Sequence, residues 1–188
     1  MIGTVLYCVK ALRFIPAYIV YKNNLSSEII TYEINRWLKL NGISRHGIKG
    51  FLTLMMMFPE FRSLIYYRTG CQWLRHLGRG QVNLYFHTPN NKIGKGLVIW
   101  HGYSTVINAE SIGENCSIWH NVTIGKKTVE HINDRPTIGN NVNICTGAII
   151  VGKMRIADDV TIGAGAIVVD EIEENNVIVV GVKASIKR

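Results

Sequence analysis

The stretch TIGNNVNICTGAIIVGKMRIADDVTIGAGAIVV, residues 137–169, decides the fold because an aliphatic residue returns at every sixth position. The series is Ile138, Ile144, Ile150, Ile156, Ile162 and Val168. A period of six is neither helical nor a plain strand alternation, and internal repeats of fixed length are typical of solenoids. We therefore predict short strands, each with one aliphatic side chain directed inward and joined by turns. Three such segments per coil return the chain above its own start, at a spacing of about 4.8 Å between coils.

The same period extends back along the chain from residue 137, with two breaks in its phase. One extra residue lies between Ile99 and Ile112, and two lie between Ile124 and Ile138. The second break is polar and is predicted to form a loop that leaves a corner of the solenoid. Residues 93–175 have room for four to five coils.

The N-terminal part of the chain has a different pattern and a different charge. Residues 26–80 contain three apolar runs with helical spacing, which end near Gly42, Pro59 and Gly70. Residues 1–80 hold 11 Lys and Arg against 3 Asp and Glu, a net charge of +8, whereas residues 81–188 hold 10 of each, a net charge of zero. We predict a helical region over residues 1–80 and a solenoid over residues 81–188.

Composition excludes several classes of protein. Apolar residues make up 47% of the chain and charged residues 18%, which is too apolar for a disordered protein. The four cysteines show no paired spacing, so a structural zinc site or a thioredoxin-type motif is not expected. No apolar run approaches the ~20 residues needed to span a bilayer, and no signal-peptide cleavage site follows the first apolar segment. We expect a cytoplasmic protein whose N-terminal segment, from Met1 to Tyr21, forms a packed helix or strand or, alternatively, touches a membrane surface.

The repeat resembles that of the hexapeptide-repeat acetyltransferases, in particular the serine acetyltransferase-like branch. The similarity rests on KIGKGLVIWHG, IGENCSIWHNVTIG, RPTIGNNVNICTGAIIVG and VTIGAGAIVV, within residues 92–184. It implies a mainly β protein with α, in which an N-terminal helical segment precedes a left-handed parallel β-helix. It further implies acetyl-CoA as co-substrate, no metal, and a homotrimer whose active site lies in the cleft between two β-helices.

Two histidines occupy equivalent places in the repeat. His101 and His120 each lie two positions after an inward aliphatic, and they are separated by one coil of three repeats plus the single inserted residue. We expect them to stack one coil apart. The resemblance assigns His101 as the general base that deprotonates the acceptor hydroxyl, a task suited to a side chain with a pKa near neutrality. His120 is expected to line the cleft or bind the acceptor.

The sequence departs from the branch around the predicted base. Trp100 stands where the branch carries an acidic residue that contacts serine, and Phe86 lies near the place of an aspartate that orients the base. Glu110 or a backbone carbonyl is left to orient His101. Trp100 and Trp119 suit stacking on a sugar ring, or packing. We therefore predict O-acetylation of a saccharide hydroxyl, with serine O-acetylation as the alternative.

The resemblance places further ligand contacts in the second half of the repeat. Arg135 belongs to the segment that touches the acceptor, so the predicted acceptor-binding residues are Trp100, His120 and Arg135. Small residues let the pantetheine arm of CoA lie close to the backbone, and a terminal lysine meets its phosphates. The predicted CoA-binding residues are Thr146, Gly147, Ala148, Gly163, Ala164, Gly165, Ala166 and Lys183.

Other functions fit the sequence less well. A β-helical carbonic anhydrase needs three histidines on zinc, and only His101 and His120 share a coil position. A scaffold without catalysis predicts no CoA binding. Nucleic-acid binding is suggested by charge alone, without an aromatic–basic motif. The positive charge of residues 1–80 instead predicts contact with an anionic acceptor or a membrane.

Overall fold

The computed structural model describes residues 10–128, 130 and 134–181 of the 188-residue chain. The chain divides into two compact units, Met1–Val82 and Asn83–Arg188, which we call the helical unit and the β-helix unit. The division falls after Val82, close to the boundary predicted after residue 80. In the described part of the chain, no helix has the length and apolar character needed to cross a membrane.

Four α-helices of the helical unit lie wholly within the described residues: α1 (Ile15–Lys22), α2 (Ser27–Leu40), α3 (Gly47–Met57) and α4 (Pro59–Thr69). A 3₁₀ helix, Gln72–His76, follows them. Pro59 starts α4 because proline has no backbone N–H to donate to the preceding turn. Gly70 ends α4 in the left-handed conformation, with φ of 69°.

The helices pack around an aromatic core that includes one buried ion pair. Trp37, Phe51 and Phe61 are fully buried, and the ring centroids of Trp37 and Phe61 are 5.3 Å apart. Arg68 on α4 lies 2.6 Å from the carboxylate of Glu33 on α2, and both side chains are inaccessible to solvent. The guanidinium donates hydrogen bonds to both carboxylate oxygens, which offsets the desolvation of the two charges.

The β-helix unit winds short strands into three parallel sheets. The first sheet contains β1 (Leu84–Phe86), β3 (Thr105–Ile107), β6 (Thr123–Gly125), β9 (Ile149–Val151) and β12 (Ile167–Val168). The second contains β4 (Ser111–Ile112), β7 (Thr137–Ile138) and β10 (Arg155–Ile156). The third contains β2 (Val98–Ile99), β5 (Ser117–Ile118), β8 (Asn143–Ile144), β11 (Thr161–Ile162) and β13 (Ile178–Val179).

The inward aliphatic residues stack in register from coil to coil. In the third sheet Ile99 pairs with Ile118, Ile118 with Ile144, and Ile144 with Ile162. All four of these isoleucines are fully buried. Most strands bury one aliphatic residue, which explains the period of six, and the predicted parallel β-helix is confirmed.

The second break in the repeat is larger than its phase indicates. Ile124 lies in the first sheet and Ile138 in the second, so the whole segment between them replaces a single step of six. The insertion is therefore eight residues long. The prediction of two extra residues was wrong because insertions of eight and of two have the same phase in a period of six.

Candidate active site

The turns that follow the strands of the third sheet form one corner of the β-helix, which we call the histidine corner. Residues 100–104 follow β2, and residues 119–121 follow β5. Because β2 and β5 pair in register, His101 and His120 lie one coil apart, as predicted. Their ring centroids are 5.8 Å apart, with 66° between the ring planes.

The turn that carries His101 is two residues wider than its neighbour below. Ile107 is the eighth residue after Ile99, whereas Ile124 is the sixth after Ile118. His101 itself has φ of 64°, in the left-handed region that is strained for a residue with a side chain. The N–H of Tyr103 donates to the carbonyl of His101 at 2.8 Å and closes the turn. The wider turn leaves the His101 side chain exposed to solvent.

Tyr103 joins the two histidines and was not predicted from the sequence. Its ring stacks on that of His120, with centroids 4.7 Å apart and planes at 28°. The Nδ1 atom of His120 is buried and has no hydrogen-bond partner among the described residues. A buried polar atom of this kind is costly unless a ligand or water satisfies it. His120 can therefore exchange a hydrogen bond with a bound hydroxyl.

Two tryptophans lie beside the histidines. The Trp100 and Trp119 ring centroids are 5.7 Å apart, with planes at 30°, and Trp119 also lies 6.3 Å from the His101 ring. Both side chains are half-buried. Their mutual contact gives them a packing role and leaves aromatic surface next to His101.

A strip of small residues continues the histidine corner down the next coils. The N–H of Gly147 donates to the carbonyl of His120 at 3.2 Å, and the N–H of Gly165 donates to that of Thr146 at 2.9 Å. Among the described residues, a Cβ atom added to Gly165 would meet no atom within 4 Å, and one added to Gly147 would meet none closer than 3.8 Å. The backbone of Thr146–Gly147 and Ala164–Gly165 is thus open to an extended ligand that ends at His120.

The other predicted CoA contacts lie in different surroundings. Ala148 and Ala166 are buried in the coil and present no surface to a ligand. Gly163 packs against the next coil, because a Cβ added there would lie 2.9 Å from the carbonyl oxygen of Val179. Lys183 lies outside the described residues.

Arg135 lies at another corner of the same chain. It follows the eight-residue insertion between the first and second sheets, a position we call the loop corner. Its Nη2 atom is 2.6 Å from Oε2 of Glu110, and its Nε atom is buried without a hydrogen-bond partner among the described residues. A shallow cavity of about 470 Å³ there is lined in part by Arg135, Lys153 and Arg155. Glu110 is engaged at this corner, away from His101.

Asp134 organises the loop beside Arg135. Its carboxylate accepts hydrogen bonds from the N–H groups of Lys153 at 2.7 Å, Thr128 at 3.0 Å and Lys127 at 3.1 Å. Desolvation raises the pKa of the Asp134 carboxyl, but these hydrogen bonds outweigh it and leave the pKa below its ordinary value of 3.8. The sequence indicates this loop by its polarity but does not predict the role of Asp134.

Within residues 10–128, 130 and 134–181, no group of three or more His, Cys, Asp or Glu side chains could hold a metal ion. The described part of the chain therefore gives no support to a three-histidine zinc site. The corner that carries His101 and His120 suits proton transfer and hydrogen bonding to a small ligand.

Comparison with known proteins links the chain to one family by sequence. No family model matches the chain. Serine acetyltransferase of Helicobacter pylori is 30% identical over 142 residues, which cover 69% of this chain and 80% of that protein. Serine acetyltransferase of Staphylococcus aureus is 42% identical over 69 residues, or 36% of this chain and 32% of that protein.

Solved structures show the same fold. Soybean serine acetyltransferase complexed with serine matches with a TM-score of 0.65 and 20% identity, over 84% of this chain and 68% of that one. Isoform 3 from Entamoeba histolytica in complex with cysteine matches with a TM-score of 0.62 and 19% identity. The match covers 86% of this chain but only 60% of the Entamoeba chain. The N-terminal helices and the left-handed β-helix are thus the architecture of these enzymes. By its sequence similarity to the Helicobacter pylori enzyme along most of both chains, the protein belongs to the serine acetyltransferase family and is an acyltransferase.

Proposed function

We propose that the protein transfers an acetyl group from acetyl-CoA to the hydroxyl of serine, with His101 as general base. The observation that carries the proposal is the histidine corner, where His101 and His120 lie at the head of an open strip of small residues. The comparisons support the serine acceptor better than the saccharide predicted as the main acceptor from Trp100 and Trp119.

The reaction assigns a proton to His101 at two stages. Acetyl-CoA supplies an activated acetyl thioester. The neutral imidazole of His101 accepts the proton of the serine hydroxyl as its oxygen bonds to the acetyl carbon, and it then donates that proton to the departing thiolate sulfur. A positioned base of this kind contributes about 10²–10⁴-fold to the rate.

His120 is proposed to hold the acceptor hydroxyl in line with His101. Its buried Nδ1 atom has no partner among the described residues, and the stacked ring of Tyr103 fixes the orientation of the imidazole. A hydroxyl that bridges the two imidazoles accepts a hydrogen bond from Nδ1 of His120 and donates its own proton toward His101.

Trp100 offers a route to serine recognition without the acidic residue of the family. The face of an indole ring attracts an ammonium group by about 0.5–2 kcal/mol, depending on how far the pair is desolvated. Trp100 is half-buried beside Trp119, which limits its rotation. We therefore assign Trp100 to the serine ammonium.

The backbone strip formed by Thr146–Gly147 and Ala164–Gly165 is proposed to hold the pantetheine arm of CoA. The strip is open at Gly165 and reaches the carbonyl of His120 through the N–H of Gly147. An arm lying there ends with its thioester beside the two histidines.

Arg135 requires a neighbouring copy if it is to contact the same serine. His101 and Arg135 lie at different corners of one β-helix, so a single chain does not present them to one ligand. We infer a trimer with a three-fold axis in which the histidine corner of one copy faces the loop corner of the next. Arg135 of the partner subunit then donates a charge-assisted hydrogen bond to the serine carboxylate.

A thiol-release assay with acetyl-CoA tests the acceptor and the base. With serine, we expect CoA thiol to be released faster than by hydrolysis alone. His101→Ala should lose this activity, whereas the matched control His76→Ala, at an exposed residue of the helical unit, should retain it. Trp100→Leu should raise KM for serine with little change in kcat. Release with sugar hydroxyls but not with serine would overturn the serine acceptor, and full activity of His101→Ala would overturn the assignment of the base.

Subunit complementation tests the trimeric site. If each site takes His101 from one copy and Arg135 from the next, an equal mixture of His101→Ala and Arg135→Ala chains restores about a quarter of wild-type activity, because each intact partner occurs with probability one half. Each variant alone should be inactive or nearly so. Absence of recovery in a co-assembled trimer would place both residues in one copy or remove Arg135 from the site.

A further inference from the structure

The described surface of the helical unit is strongly basic. Of the three acidic residues in residues 10–80, Glu33 and Glu60 are buried, and Glu28 is exposed. Eight cationic residues in this range are exposed: Lys10, Arg13, Lys22, Lys39, Arg45, Lys49, Arg75 and Arg79. Exposed acidic side chains therefore offset little of the positive charge of this surface, and the surface attracts anions.

Four arginines gather on one part of this surface. We call the cluster of Arg13, Arg62, Arg75 and Arg79 the arginine patch. The guanidinium carbons of Arg13 and Arg62 lie 4.7 and 6.0 Å from the centroid of the same ring, that of Phe14. The Nε atom of Arg62 donates to the carbonyl of Arg79 at 2.6 Å, which joins α4 to the segment after the 3₁₀ helix.

The patch is built on a close packing contact. Phe14 lies against Gly78, where an added Cβ would be 2.8 Å from Cζ of the phenyl ring. Gly78 stands between Arg75 and Arg79 in the sequence, so the contact brings the segment of Arg13 next to theirs. The hydroxyl of Tyr66 donates to the carbonyl of Gly78 at 2.7 Å and fixes the segment further.

The positive charges in the patch act on one another. Burial lowers the pKa of Arg62, and the charge of Arg13 lowers it further. The Nη1 atom of Arg62 also donates a hydrogen bond to the carbonyl of Met55 at 2.6 Å. The guanidinium is therefore fixed in place rather than free to turn into solvent. An anion bound across the patch relieves this repulsion.

Apolar side chains are exposed on the same two segments. Leu12 is 57% exposed beside Arg13, and Trp73 is 50% exposed on the 3₁₀ helix that carries Arg75. Cations next to exposed Leu and Trp are typical of surfaces that lie in the headgroup region of a bilayer, where the apolar groups enter the acyl boundary. A nucleic acid would use the cations but would leave Leu12 in water.

We propose that the arginine patch, together with Leu12 and Trp73, binds the surface of an anionic membrane. The charge complementarity selects negatively charged phospholipids, and the two apolar side chains select a bilayer over a free phosphate. The enzyme would then work as a peripheral protein, held at the lipid surface by its helical unit. This inference is independent of the acceptor and of the catalytic assignment.

Cosedimentation of the full chain with vesicles tests the proposal. The probes are vesicles of equal parts phosphatidylglycerol and phosphatidylcholine, and vesicles of phosphatidylcholine alone. We expect binding to the anionic vesicles, weakened by salt. The double variant Arg75→Gln/Arg79→Gln should lose about 30-fold in affinity, at about fivefold for each cation near an anionic surface.

Two matched controls separate the patch from general charge and general hydrophobicity. Lys39→Gln/Lys49→Gln removes the same charge from exposed positions outside the patch, and should cost much less. Trp73→Ser should weaken binding where Leu40→Ser, which alters an exposed residue on α2, does not. Circular dichroism of every variant establishes that the helices are retained.

Three results would overturn the proposal. The first is equal binding to both kinds of vesicle, or equal losses in the patch variant and the lysine control. The second is binding to duplex DNA that is stronger than binding to anionic vesicles and insensitive to Trp73→Ser. The third is self-association that Leu12→Ser and Trp73→Ser abolish while no vesicle binding is seen, which would make the patch a contact between copies.

Discussion

Gly113 and Gly125 each follow an inward isoleucine, but a methyl group at the two positions meets opposite surroundings. At Gly113 an added Cβ would lie 2.5 Å from the carbonyl oxygen and 2.6 Å from the carbonyl carbon of Gly139, one coil away. At Gly125 an added Cβ would meet one atom within 4 Å in the described part of the chain, Nδ2 of Asn108 at 3.9 Å. Gly113→Ala and Gly125→Ala therefore form a matched pair within one sequence motif.

The contacts set the size of the expected difference. A carbon and an oxygen rarely approach closer than about 3.2 Å, so Gly113→Ala requires the two coils to separate by roughly 0.7 Å at this corner, and overpacking of this kind costs ~1–3 kcal/mol. The obstacle is backbone rather than a flexible side chain, so we expect a loss near 3 kcal/mol, or about 6–12 °C in Tm for a chain of this size. Gly125→Ala should be neutral or stabilise by up to about 1 kcal/mol, because alanine restricts the unfolded chain.

Urea unfolding followed by far-ultraviolet circular dichroism measures both variants. Neither substitution lies in the helical unit, so the unfolding transition of that unit should be the same in both variants and serves as an internal reference. Equal midpoints for Gly113→Ala and Gly125→Ala would refute the reasoning, because the coils would then relax around the methyl group without cost.

Three further predictions concern other parts of the chain. Glu33→Gln should destabilise the helical unit by about 3–5 kcal/mol, measured by urea unfolding, because Arg68 is left as an unpaired buried charge, whereas Glu33→Leu/Arg68→Met should restore most of the loss. Asp134→Asn should speed tryptic cleavage at Lys126 and Lys127 at pH 7. The folded pKa of Asp134 is lowered, so its contribution to stability is fully present above the ordinary value of 3.8 and is lost as pH falls through the lowered pKa. The urea midpoints of the two proteins should therefore converge over that acidic range. Gly165→Ala should raise KM for acetyl-CoA several-fold, because it places a methyl group on the open strip. The loss of stability should be only about 1–2 kcal/mol, from the φ of 67° at this position. An unchanged KM would show that the strip is not part of the CoA site.

The period of six was enough to predict the β-helix and the stacking of His101 on His120. Each inward isoleucine marks one strand, and a separation of one coil plus the inserted residue keeps both histidines at the same position of successive coils. Helix ends were equally readable, since Pro59 and Gly70 act through the backbone alone. These features depend on local backbone chemistry or on a sequence repeat, and both can be identified from the sequence alone.

The site was less predictable because the spacing between two inward aliphatic residues reveals only the sum of the insertions and deletions between them. The two-residue widening after Ile99 is followed by a one-residue shortening before Ile112, so the sequence reveals only the net change of one. Tyr103, which enters the site through that widening, was missed for this reason. The contact between Phe14 and Gly78 and the pairing of Glu33 with Arg68 depend on distant segments, and no spacing in the sequence indicates them.

The eight-residue insertion at the loop corner leaves the stacking of the coils intact. Ile112 pairs with Ile138 across a coil that contains the insertion, while Ile138 pairs with Ile156 across an ordinary coil of three repeats. By the logarithmic dependence of closure entropy on loop length, the longer excursion costs only about 0.3 kcal/mol more. Lengthening the loop at this corner thus costs little free energy, whereas a single residue added within a strand would turn the following side chains of that strand to the opposite face. Selection can lengthen, shorten or replace the segment around Arg135 while the scaffold keeps its stability, so substrate preference can diverge among relatives that share the same coils.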